Sequence, residues 1–111
     1  MKTPRKKLEA KADKLFGEII RSRGKCERCG SKDFLQTAHL ISRRYKQVRW
    51  DLDNAVCLCR GCHVYFTHHP IEWDLYVEDK IGTNIYKTLK TKALIYGKID
   101  YEAIINKLKE Y

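Results

Sequence analysis

A chain of 111 residues has room for one compact domain built on one core. Apolar residues make up 43% of it and charged residues 33%, and no apolar run approaches the ~20 residues that cross a bilayer, so the composition excludes both a disordered tail and a membrane-spanning helix. The 23 Lys and Arg against 14 Asp and Glu leave a formal charge of +9, which makes a polyanion such as nucleic acid the first partner to consider.

The first predicted element is an amphipathic helix over residues 3–23. Leu8, Ala12, Leu15, Phe16, Ile19 and Ile20 recur there at three- and four-residue spacings, and Thr3 and Pro4 can supply an N-cap and a first-turn proline. Its other face is rich in Lys and Arg and reads as a solvated face able to touch phosphates. Four basic residues within positions 1–7 precede no apolar stretch and no small-residue cleavage site, so no secretory signal is expected and the expected location is cytoplasmic.

From residue 25 to residue 69 the helical period gives way to cysteines, histidines and turn residues such as Gly30-Ser31 and Asp53-Asn54. Residues 34–39 and 55–57 suit short strands and residues 60–66 a helix, in the order strand, long loop, strand, helix. Helical spacing returns after His69-Pro70, over 71–81 up to Gly82, then 85–94, then 101–108 behind a capping Asp100. The expected organisation is a single α+β domain, 1–111, with an N-terminal helix (1–24), a core (25–69) and a helical C-terminal extension (70–111).

Five cysteines in a chain with no export signal should stay reduced, which favours metal ligation over disulfides. Cys26 and Cys29, then Cys59 and Cys62, form two CxxC pairs, and four thiolates satisfy one tetrahedral zinc. Gly30 relieves the backbone as it turns under the metal. Cys57 alternates with Leu58 and Cys59 and reads as a core side chain; using it as a ligand in place of Cys59 would break the two-residue spacer. Four sulfurs leave no open position for water, so this zinc is structural and catalysis would need a second metal.

Between and just beyond the pairs stand His39, Asn54 and His63. The order Cys-x-x-Cys, His, Asn, Cys-x-x-Cys-His over residues 26–69 resembles the HNH (ββα-metal) endonucleases, including stand-alone phage nucleases of recombination or genome packaging. The resemblance implies a ββα-metal core stapled by a four-cysteine zinc, with His39 as general base, Asn54 as the loop-fixing asparagine and His63 as ligand of a catalytic divalent metal. The chemistry agrees with those roles. A histidine titrating near neutral pH suits deprotonation of the attacking water, and a divalent cation suits the charge that builds on phosphate and leaving oxygen. Mg, Mn, Ni and Zn are all open as that metal.

Where many such sites carry an Asp or His before the base, this chain has Ala38, so a phosphate oxygen and waters, or Asn54, Asp51, Asp53, His68 or His69, would complete the shell. Arg43, Arg44, Lys46 and Arg49 follow the candidate base, interleaved with Tyr45 and Trp50, and are expected to contact backbone phosphates. Trp50 can anchor the same loop in the core. The expectation is a metal-dependent endonuclease hydrolysing DNA with little sequence readout. DNA, not a membrane or a small molecule, is then the partner. The alternative is a non-catalytic zinc-stabilised module that binds nucleic acid.

Overall fold

The computed structural model describes residues 4–111; the proposed capping role of Thr3 lies outside the described residues. Helix α1 (Arg5–Arg21) follows the apolar spacing and buries Ala12, Phe16, Gly17 and Ile20. Removing Phe16 and Ile20 from water contributes about 2 kcal/mol each. The helix stops at Ser22, and Gly24 turns the chain with φ of 85°, a value that favours glycine.

Strands β1 (Leu35–His39) and β2 (Ala55–Cys59) form a two-stranded antiparallel sheet in which Thr37 faces Cys57 and His39 faces Ala55. Between them lie a one-turn helix, α2 (Lys46–Arg49), and a 3-10 turn (Leu52–Asn54) capped by the Asp51 side chain. Helix α3 (Arg60–His68) starts directly from β2, its first turn capped by the Cys59 sulfur, which accepts from the Cys62 N–H. Helices α4 (Pro70–Ile81), α5 (Thr83–Ala93) and α6 (Tyr101–Leu108) complete the chain, the last capped by Asp100 as expected. Among the described residues no helix is long and apolar enough to cross a membrane.

Strand alternation sends successive side chains to opposite faces, and each face has its own core. On one side Ala55 and Cys57 pack with Ala12, Phe16 and Ile20 of α1, with Trp50, and with Tyr101, Ile105 and Leu108 of α6. On the other side Ala38, Val56 and Leu58 pack with Cys26, Cys62, Phe66 and Val77. The sheet is therefore clamped between α1 and α6 on one face and α3 and α4 on the other. Cys57 is fully buried in the first core and is not part of the cluster formed by the four other cysteines.

Candidate metal and catalytic centre

The four sulfurs of Cys26, Cys29, Cys59 and Cys62 lie within 4.8 Å of one another, with Cys29 Sγ 3.6 Å from Cys59 Sγ. A tetrahedral zinc with Zn–S bonds of about 2.3 Å places its sulfurs about 3.8 Å apart, so the donor set fits that ion. The turn that makes this possible closes on a Gly30 N–H donating to the Cys26 carbonyl at 2.9 Å, with φ of 81° at Gly30. Backbone N–H groups of Cys29 and Cys62 point at the sulfurs of Cys26 and Cys59, at 3.4 Å each.

Burial opposes charge on Cys26, but the N–H donors outweigh it and lower that thiol's pKa, whereas burial and the neighbouring sulfurs push Cys62 up. Four thiolates this close would repel one another, and a central dication would let all four stay charged. Arg28 supports the same charge from outside: its guanidinium lies 3.6 Å from Cys62 Sγ and 4.4 Å from the centre of the Tyr65 ring.

The two candidate histidines reach one cleft from opposite faces of the sheet. His39, at the end of β1, stacks on Phe16 of α1 with ring centroids 5.3 Å apart; His63 stands on α3. Both line a cleft of about 480 Å³ with Asp13, Gly17, Arg21, Thr37 and Arg43. They also share the adjoining hollow formed by Ala38, Phe66, Thr67, Pro70 and Trp73.

Each ring is held by one nitrogen. His39 Nε2 is 2.9 Å from the Arg49 carbonyl oxygen, which can only accept, so the proton sits on Nε2 and Nδ1 is the ring's acceptor. Burial lowers the pKa of His39, against a smaller opposing effect of that carbonyl, which favours the neutral ring with its Nδ1 lone pair free. His63 donates from Nδ1 to Gln36 Oε1 at 2.7 Å, which leaves Nε2 with its lone pair for a cation.

Asn54 is fully buried and bonds both sides of the loop. Its Oδ1 accepts from the Ile41 N–H at 2.8 Å, and its amide donates to the carbonyls of Ile41 at 3.1 Å and Val48 at 3.0 Å. With all three bonds made to backbone, Asn54 orders the segment that follows His39, and its oxygen is engaged by the Ile41 N–H.

Other candidates from the sequence are spread more widely. Asp51 and Asp53 line a separate cavity with Lys92 and Lys107, and His69 donates from Nδ1 to the Tyr65 carbonyl while stacking on the Tyr65 ring. Neither they nor His68 line the cleft shared by His39 and His63. Of the four basic loop residues, Arg43 and Arg44 are exposed, and Arg43 borders the cleft. Lys46 pairs with Glu9 at 2.9 Å, and the buried Arg49 grips Asp13 through Nε at 3.0 Å and Nη2 at 2.6 Å. Trp50 is buried too and donates its indole N–H to the same Asp13, so the loop is anchored as well as basic.

Sequence reasoning missed Gln36, Asp13 and Arg21. Gln36 and His39 fall on opposite faces of β1, and only the packing of α3 on the second face shows that Gln36 meets His63. For Arg21 a signal was present: a glycine, Gly17, in the middle of a helical pattern, where it costs about 1 kcal/mol relative to alanine and so calls for a local reason.

Residues 26–69 match the family model described as HNH endonuclease. No curated protein and no solved structure matches the chain significantly.

Proposed function

We propose that this protein, whose residues 26–69 match the family model described as HNH endonuclease, is a metal-dependent endonuclease that hydrolyses DNA phosphodiester bonds with little sequence readout. The observation that carries the reading is the shared cleft, in which His39 keeps Nδ1 available as a base and His63 keeps Nε2 available as a ligand. His63, with phosphate oxygens and waters, would hold a divalent cation, and such a cation supplies Lewis-acid neutralisation of charge on the phosphate and the leaving oxygen.

The chain's own residues account for the remaining steps. His39 Nδ1 takes a proton from a water in line with the scissile bond, the water oxygen bonds to phosphorus, and the P–O3′ bond breaks with its electron pair on the 3′-oxygen, which is protonated from solvent. Asn54 and the Arg49 carbonyl keep the base oriented. Arg43 and Arg44 contact flanking phosphates, while Lys46 and Arg49 mainly brace α1 against the loop.

The test is nicking of supercoiled plasmid by the purified zinc-loaded protein in Mg, Mn, Ni or Co. Wild type should convert the plasmid to open circles, and His39→Ala, with fold and zinc retained, should lose about 10²- to 10⁴-fold of the rate. Equal and intact plasmid with both proteins in every metal would make the chain a zinc-stabilised binding module.

A further inference from the structure

Gly17 and Arg21 occupy successive turns of α1 on the wall of the cleft. A Cβ placed on Gly17 would lie 2.7 Å from Arg21 Nη1, closer than two such atoms approach, so the missing side chain is what lets the guanidinium fold back along the helix. In that position Arg21 Nη1 is 3.5 Å from the hydroxyl of Thr37, two residues before His39 on the same face of β1, and that hydroxyl is 3.4 Å from the Gly17 carbonyl. No carboxylate of the described residues pairs with Arg21; Asp13, the acidic side chain of this cleft, is taken by Arg43, Arg49 and Trp50.

An uncompensated guanidinium beside the base, held on a glycine notch, suits the non-bridging oxygens of a phosphodiester, whose negative charge grows as the attacking oxygen bonds. The geometry points to Arg21 as a further catalytic residue, contacting the scissile phosphate from the α1 side of the cleft while His63 faces it from α3. This inference rests on the phosphodiesterase reading and adds to it a substrate-contacting group from outside residues 26–69. Gly17 is then a positioning residue, acting only through the place it gives to Arg21.

The experiment compares wild type, Arg21→Gln, Arg21→Lys, Gly17→Ala and the control Lys14→Gln, which removes one charge from the exposed surface of the same helix. Plasmid nicking is measured at saturating DNA, and binding of a short duplex to each variant in a His39→Ala background is measured across salt concentrations. Arg21→Gln should cut the maximal rate about 10- to 100-fold and make the slope of log Kd against log salt shallower by about 0.9, one phosphate contact. Arg21→Lys should recover part of the rate. Gly17→Ala keeps the charge and raises helix propensity, so a several-fold loss of maximal rate with an unchanged or higher Tm isolates the displacement of the guanidinium from any weakening of α1. Arg21→Gln nicking as fast as Lys14→Gln, in a preparation where wild type is active, overturns the inference and leaves the nuclease reading standing. A wild type silent in every metal overturns both.

Discussion

The carbonyl oxygen of Arg49 stands 2.9 Å from Nε2 of His39, joining the end of β1 to the end of α2 across the loop that separates the strands. Arg49 is itself fixed by its two bonds to Asp13 on α1, so the tautomer of the candidate base is set by a chain of contacts that begins one helix away. A carbonyl cannot donate, and Nδ1 is left as the acceptor whenever the ring is neutral.

The acid limb of the nicking rate should lie below the ordinary histidine value of 6.5, because burial disfavours the charged ring. The same shift has a sign for stability. The unfolded chain binds a proton on this histidine below 6.5 while the fold still excludes it, so the contribution is complete above 6.5 and is lost as pH falls through the lower folded value. A pH–rate profile and urea melts of wild type and His39→Ala over pH 4.5–8 (roughly the range that brackets histidine titration) should show both effects. A limb centred above 6.5 would contradict them.

Asn54→Ala should destabilise the protein by about 3 kcal/mol, since it strands the buried Val48 carbonyl and the partly buried N–H and carbonyl of Ile41. Asn54→Asp should be worse at neutral pH, because a carboxylate would then face the carbonyls of Ile41 and Val48, and should recover in acid as protonation restores one donor. Denaturant midpoints at pH 7 and pH 4 distinguish this bracing role from a role in binding metal, which Asp would preserve.

Zinc content separates the fifth cysteine from the four. Wild type and Cys57→Ala should each carry one zinc per chain, with Cys57→Ala losing about 1 kcal/mol to a small cavity in the α1 core. Cys59→Ala should lose the ion, and strong chelators should abolish cooperative unfolding of wild type, because zinc binding and folding are coupled at such sites. Metal analysis with thermal melts reads both outcomes.

Gln36→Leu removes the acceptor of the His63 Nδ1–H while leaving His63 in place. The activating metal should then be needed at about 10- to 100-fold higher concentration, with zinc content and Tm little changed. An unchanged metal titration would mean that the amide has no part in orienting the ligand.

The four-cysteine cluster was legible because its members come as two tight pairs, and a two-residue spacer fixes geometry locally whatever the rest of the chain does. Helix α1, the β-β-α order and the C-terminal helices were legible for a related reason: apolar period and end signals act over a few residues. Asn54 bonds the backbone of Ile41 and Val48, since a buried amide beside a turn has few partners other than backbone.

The fate of the basic loop was not legible. Arg43, Arg44, Lys46 and Arg49 look alike in sequence, and it is the arrival of Glu9 and Asp13, thirty or more residues upstream, that turns Lys46 and Arg49 into struts and ties the exposed Arg43 to Asp13, while Arg44 stays exposed. The partnership of Gln36 with His63 and the notch that Gly17 gives to Arg21 are of the same kind.

By itself, the sequence determined which four cysteines could share one metal ion, which imidazoles are candidates for a site, and which segments coil. Tertiary structure decided which nitrogen of each imidazole stays available, which cations keep their charge for a ligand, and that α1 forms a wall of the cleft. Those outcomes depend on contacts between residues far apart in the chain, whose pairing is set by how two cores close on the faces of one small sheet.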